Sequence, residues 1–267
     1  PVETGWIRQT TIPAPNLKAA IAAFEQAQDT TYSVAWIDCL GTGKNLGRSL
    51  VMLGEHAGVA DLPSKYMRQP LQIPTKHKLS IPLDFPSVML NQFTVRAFNA
   101  LYYWSGTRRL GTQLVGWDSY FYPLDAILGW NRIYGRKGFV QFQCALPLDR
   151  SEEGLIALLE IISEVGAGSF LAVLKRFGSQ ESCFSFPMEG YTLALDFPVN
   201  PKTFALLDTL NRITINHGGR FNLTKDSRIT AETLRLADGR TEHFKQIRDK
   251  AGWSHRFRSS QSERLLI

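Results

Sequence analysis

Three cysteines in 267 residues, Cys39, Cys144 and Cys183, lie too far apart for a Cys-x-x-Cys metal pair or a disulfide framework, so each is read as a small buried hydrophobe. The five histidines (His56, His77, His217, His243, His255) never recur at i, i+4 on an expected helix face or beside acidic ligands. No metal site is expected. Also missing is any run of ~18 apolar residues, so no spanning helix is read, and no signal peptide either. Low-complexity sequence is scarce, and 44% hydrophobic residues give material for one large core or two modest ones. The chain opens on Pro1 rather than Met and enters an expected strand almost at once, which reads as a piece of something longer.

Phosphate-binding glycine motifs are incomplete. Gly41-x-Gly43-x-x-x-Gly47 has neither the Rossmann spacing nor the Lys-Ser/Thr ending of a P-loop, and it joins two expected strands. A hairpin-like connection is the expectation there. Acidic residues are sparse at the C-terminal end: residues 220–267 hold 11 Lys/Arg against 6 Asp/Glu, which leaves only +1 of the net +6 for the first 219. That tail has few aromatics and no nucleic-acid-binding motif, so nucleic acid is not expected as a partner. A phosphate-bearing cofactor, a lipid headgroup or a partner domain accounts for the same charge.

Strands are expected over Val2–Ile12, Tyr32–Ile37, Arg48–Leu53, Phe139–Leu146, Phe170–Phe177 and Tyr191–Phe197. Helices are expected over about 17–28, capped by Asn16, over Ser151–Val165, with Glu152 and Glu153 in the first turn, and over 202–217. Strand, helix, strand, strand thus occurs twice, at 2–53 and at 139–197. The fold class expected is α+β, an antiparallel β-sheet with helices on one face. Residues 60–138, rich in proline and aromatics, resist reading; a helix over Phe93–Tyr103 would bury Val95, Phe98, Leu101 and Tyr102 on one side. Beyond Gly218 and Gly219, one of which should take the left-handed conformation, two short helices are expected at Ile229–Leu236 and Thr241–Lys250.

Alternation along the expected strands selects candidate site residues. Gln141 and Gln143 share one face, while Val140, Phe142 and Cys144 share the other, the core face. Val173, Lys175 and Phe177 likewise share a face, as do Thr192 and Ala194. A charge cluster, Lys225-Asp226-Ser227-Arg228, closes the short segment after the glycine pair.

Gly218-Gly219-Arg220-Phe221-x-x-x-Lys225-Asp226-Ser227-Arg228-x-Thr230-Ala231-Glu232-Thr233 resembles the C-terminal signature of the decaprenylphosphoryl-β-D-ribose 2-oxidase family, flavoproteins of the vanillyl-alcohol-oxidase type. Further blocks carry the same resemblance in a fixed order over about residues 32–267. They are Tyr32 to Trp36, Leu46-Gly47-Arg48, Tyr122 to Asp125, Trp130-Asn131-Arg132-x-Tyr134-Gly135, Gly138 to Gln143, Lys175 to Gly178, Ser185-Phe186-Pro187 and Asp196-Phe197-Pro198.

The resemblance implies an FAD-dependent oxidoreductase that converts a secondary alcohol of a sugar, such as a polyprenyl-phosphate-linked pentose, to a ketone. It implies residues 1–219 as the substrate-binding domain and 220–267 as a segment completing an FAD-binding domain whose glycine-rich N-terminal part this chain lacks. Gln141, Gln143, Lys175 and Phe177 fall on family positions that line the sugar pocket. Lys225 falls on a lysine beside the flavin ring that activity needs. Phe121, Thr192, Ala194 and Asn222 stand where the mycobacterial pattern has tyrosine, asparagine, cysteine and tyrosine, so substrate hydrogen bonding differs here. Asn222 and Lys225 are the residues implied to meet the cofactor. A partner reductase or epimerase, association with a membrane surface, and a place in the cytoplasm or peripheral to the inner membrane follow from the same resemblance. Two other readings remain: an aldonolactone or alditol oxidase, and a non-catalytic module binding a sugar or anionic lipid.

Overall fold

The computed structural model describes residues 1–75, 78–86, 90–108 and 111–267, and these divide into two compact units, Pro1–Gly138 and Phe139–Ile267. In the first, β1 (Trp6–Ala14) leads into α1 (Leu17–Gln26), β2 (Tyr32–Ile37) and β3 (Ser49–His56). A segment of short elements follows: α2 (Ser64–Met67), β4 (Leu79–Ser80), α3 (Gln92–Thr107), β5 (Thr112–Gly116), α4 (Trp117–Phe121) and β6 (Ile127–Leu128). The second unit holds β7 (Phe139–Pro147), α5 (Ser151–Val165), β8 (Val173–Phe177), β9 (Gly190–Pro198), α6 (Pro201–Asn216) and β10 (Arg220–Phe221). It ends in α7 (Ala231–Ala237), α8 (Thr241–Lys250), α9 (Trp253–Arg256) and α10 (Ser260–Leu265). Among the described residues, no helix is long and apolar enough to cross a membrane.

Both expected β-α-β-β runs form, and every pairing within them is antiparallel. In the first unit β1 lies between β3 and β5, with β2 outside β3. In the second, β7 lies between β9 and β10, with β8 outside β9. The α+β class is therefore what the chain adopts. Local chemistry sets the element ends: Asn16 accepts from Ala19 N at 2.9 Å, Asn200 accepts from Thr203 N at 2.9 Å, and Gly218 turns the chain out of α6 at φ +69°. Gly219 then passes so close to β7 that a Cβ would lie 2.7 Å from the Ala145 carbonyl oxygen, which leaves glycine as the residue that fits.

The core of the second unit is the face of β7 and β9 carrying Phe142, Cys144, Leu146, Leu193, Leu195 and Phe197, which is buried together with Leu155, Leu158, Leu159, Ile162, Leu206 and Leu210 of α5 and α6. In the first unit, Asp38 is 2% exposed and gathers three partners: Arg48 Nε at 2.8 Å, Leu40 N at 3.0 Å and Asn99 Nδ2 at 2.6 Å. This network corrects the expected face of α3. Val95 and Asn99 are buried, and Phe98, Leu101 and Tyr102 are left 41%, 63% and 41% exposed. A buried carboxylate needs the amide of Asn99, and that need rotates the helix away from its apolar side chains. Cys183 is a second correction: Cys39 and Cys144 are buried, but Cys183 is exposed, in the loop between β8 and β9.

Candidate functional site

Residues opposed across antiparallel strands project to the same side of the sheet. Gln141 of β7 faces Asp196 of β9; Gln143 faces Ala194, which faces Val173 of β8; and Thr192 faces Lys175. One side of β7, β9 and β8 thus carries Gln141, Gln143, Thr192, Ala194, Asp196, Lys175 and, at the far end of β8, Phe177. All but Lys175 are wholly or partly buried.

The amides on this face are fixed by partners. Gln141 Nε2 donates to Asp196 Oδ1 at 2.8 Å, and Gln143 Nε2 donates to Thr192 Oγ1 at 3.0 Å. Asn222 closes the other side of Gln143: its Nδ2 donates to Gln143 Oε1 at 2.9 Å while its backbone N–H donates to Gln143 O at 3.0 Å. The turn that follows is held by its own bonds. Asn222 Oδ1 accepts from Thr224 Oγ1 at 2.7 Å, Lys225 N donates to Asn222 O at 3.0 Å, and Asp226 receives Arg264 Nη2 at 2.9 Å.

Lys225, placed by that turn, lies within electrostatic reach of two groups on the sheet. The Lys175 pKa falls because packed surroundings desolvate its ammonium and because Lys225 repels it, although the side chain keeps an exposed surface. The Asp196 pKa rises because burial disfavours its charge, against a smaller opposing pull from the Gln141 hydrogen bond and from Lys225. Two cations, two amides, a hydroxyl and a carboxyl of raised pKa therefore share one surface. Such a set suits a ligand with several hydroxyl groups. A cavity of ≈ 20 Å³ beside it, between Gln141, Gln143 and the 226–229 turn, has room for a water rather than a sugar, so any ligand site is the open face itself.

Of the residues selected from sequence, Gln141, Gln143, Lys175, Thr192, Ala194, Asn222 and Lys225 come together here. Phe177 lies on the same face with its ring 5.9 Å from that of Phe186, edge to face. Phe121 belongs to the first unit, in α4, packed edge to face on Tyr32 with ring centroids 4.8 Å apart. Asp196 was missed as a site residue. The signal was available, since Asp196 continues the alternation Thr192, Ala194 by one more step.

Several arginines of the basic tail have partners within the chain. Arg240 donates to Asp238 Oδ2 at 2.6 Å and to Ser185 O at 2.7 Å, Arg248 to Phe257 O at 2.6 Å, and Arg228 lies 4.1 Å from the Phe204 ring centre. Much of the positive charge there is engaged with the chain itself. Among the described residues, no three His, Cys, Asp or Glu gather as metal ligands do.

No family model matches the chain. Over 239 residues, 89% of its length, it is 34% identical to the decaprenylphosphoryl-beta-D-ribose oxidase of Mycolicibacterium smegmatis, of which those residues span 51%. This chain is a relative of that oxidase. It also matches an uncharacterized protein in the mprA 5' region of Streptomyces coelicolor, 29% identical over 244 residues, covering 88% of this chain and 65% of that protein. The chain spans about half the length of the oxidase, and the match fits a C-terminal portion of such a protein.

Proposed function

We propose that this chain is the substrate-binding portion of an FAD-dependent oxidoreductase that oxidises a secondary alcohol of a sugar to a ketone, with a polyprenyl-phosphate-linked pentose as the substrate class. The observation that carries the reading is the meeting of Gln141, Gln143, Lys175 and Thr192 with Lys225 on one sheet face, in a chain related to an oxidase of decaprenylphosphoryl-β-D-ribose. In this reading residues 1–219 serve the substrate and 220–267 complete the cofactor domain. That division concerns function and differs from the two compact units, which meet at 138 and 139.

Each residue has a stated task. The amides of Gln141 and Gln143 hold ring hydroxyls, and Gln143 does so in one orientation because Thr192 and Asn222 grip its two ends. Lys175, more easily deprotonated than an ordinary lysine, offers a hydrogen bond with a reduced desolvation cost on ligand binding. Phe177 packs against the ligand. Ala194 leaves room and carries no thiol. Asn222 and Lys225 fit a flavin edge, since their turn is fixed by its own hydrogen bonds and delivers an ammonium beside a carboxyl of raised pKa. A bound flavin supplies the hydride acceptor. Lys225 then stabilises negative charge where it develops, in surroundings that screen it poorly.

Turnover of the complete protein against a panel of lipid-linked pentoses, free pentoses and aldonolactones tests this reading. Oxidation of lipid-linked pentoses with flavin bleaching is expected. Preferential lactone turnover, or no flavin reduction by any sugar, contradicts it. Titrating FAD into the isolated chain tests the cofactor assignment: stoichiometric yellow binding overturns the statement that most of the FAD site lies outside these residues.

A further inference from the structure

A charged side chain drawn partly out of water is normally matched by an opposite charge. Arg220 is not. Its place on β10 opposite Ala145 fixes where the side chain starts, and the half-buried guanidinium donates from Nη1 to Ser185 O at 3.3 Å. Among the described residues it makes no ion pair, because Asp238, the carboxylate that acts on it, is gripped by Arg240 instead, Nε to Oδ1 at 2.9 Å and Nη2 to Oδ2 at 2.6 Å. Arg240 also donates from Nη2 to Ser185 O at 2.7 Å and from Nη1 to Ser182 O at 3.3 Å. Two guanidiniums thus meet at one carbonyl oxygen with one carboxylate between them. The Arg220 pKa falls, first because burial strips water from its charge and then because Arg240 repels it, against a smaller pull from Asp238. A positive excess is left at Arg220.

Both arginines line an open cavity of ≈ 610 Å³ against the loop between β8 and β9, a size within the ~300–1,000 Å³ range of small-molecule sites. Ser179, Gln180 and Ser182 add two hydroxyls and an amide to its wall. None of the residues gathered on the sheet face lines it; the cavity starts one step beyond the Phe177 and Gly190 pair, at Ser179 and Met188. The arginine forks present donors from two directions, which suits the several oxygens of a phosphate better than the two coplanar oxygens of a carboxylate. Two acidic residues also border the space. Glu189 is engaged by Arg176 at 3.5 Å, and the exposed Glu181 opposes a chain of phosphates while tolerating one. The volume exceeds that of a lone phosphate, so the group arrives attached to a polar body.

We propose that this cavity binds a small phosphate ester, with the phosphate on Arg220 and Arg240 and the polar remainder along Ser179, Gln180 and Ser182. The inference stands on the unmatched guanidinium and the space in front of it and not on the enzymatic reading, which can fail without it.

Cys183 supplies the readout, since it is exposed and lines the cavity. Its alkylation by iodoacetamide in the complete protein, followed by mass mapping of its peptide, reports occupancy without any turnover. Ribose 5-phosphate is expected to protect Cys183, and ribose is expected not to. Arg220→Gln should raise the protecting concentration about tenfold, the scale of losing a charge-assisted hydrogen bond. Glu181→Gln, a change at an exposed position, should lower it about twofold by removing a repulsion, and it decides the matter if a thermal melt shows that Arg220→Gln disturbs the fold. No protection by ribose 5-phosphate overturns the proposal. Equal protection by ribose, or protection that neither variant alters, overturns it too. Turnover of a lipid-linked pentose separates two sources of the phosphate: competition by ribose 5-phosphate that Arg220→Gln relieves assigns the site to the phosphate of that substrate, and protection without competition assigns it to a separate phosphorylated molecule. Either result supports the site.

Discussion

The two units use one strand plan for opposite ends. Each runs β-α-β-β, each places its first strand beside its last, and each adds a short strand, β5 or β10, at the free edge of the first. In the first unit one sheet face is sealed by inserted helices: Tyr102 of α3 lies 4.8 Å from Trp36, Gly106 meets Leu50, and the Tyr120 hydroxyl donates to the carbonyls of Tyr32 and Met52 at 3.2 Å. In the second unit the face of Gln141, Gln143 and Lys175 is met by a turn that brings Asn222 and Lys225. Similar backbones thus serve once to bury aromatic rings and once to arrange polar groups.

Mutations that strike the sealed face should cost the most stability. Asp38→Ala removes the partner of Arg48, Leu40 and Asn99 in a buried setting and should destabilise the first unit by about 3–5 kcal/mol in urea unfolding. Gly54→Ala places a Cβ 2.5 Å from the Tyr120 ring, so α4 must move, at about 1–3 kcal/mol. In the second unit Gln143→Ala leaves Thr192 and Asn222 without a shared partner and should cost only about 1 kcal/mol of stability while raising KM. If instead it unfolds the chain, that polar face is scaffold and the contrast fails.

Asp196→Asn should have the smallest effect, and with the opposite sign. Asp196 has a raised pKa, so ionising it in the folded state is unfavourable relative to the unfolded chain. Its neutral replacement still accepts from Gln141 and should leave stability at neutral pH unchanged or higher. The difference should close as pH falls below the ordinary carboxylate value of 3.8, where both states are protonated. A loss of stability at pH 7 would mean that Lys225 outweighs burial at this site.

These contrasts also explain what could be read beforehand. Gln141-Phe142-Gln143-Cys144 alternates strictly, and a period of two transmits directly into two faces. The helix capped by Asn16 was legible because its signal is local. Asp196 was passed over because it sits between Leu195 and Phe197 in a run that reads as core, and its partner Gln141 is 55 residues away. The orientation of α3 depends on Asn99 meeting Asp38 across 61 residues, which apolar spacing within one helix does not encode. A sequence likewise does not display the carbonyls of Ser182, Ser185 and Phe257 that receive Arg240 and Arg248 of the tail.

The central claim, that Lys225 completes a ligand-facing surface on the second unit, is tested most directly by single-turnover flavin reduction in the complete protein carrying Lys225→Ala. The account predicts a native melting curve and a rate lower by on the order of 10²-fold, the scale of losing one preorganised charge-stabilising group. Reduction at the wild-type rate in a fully folded variant would contradict it.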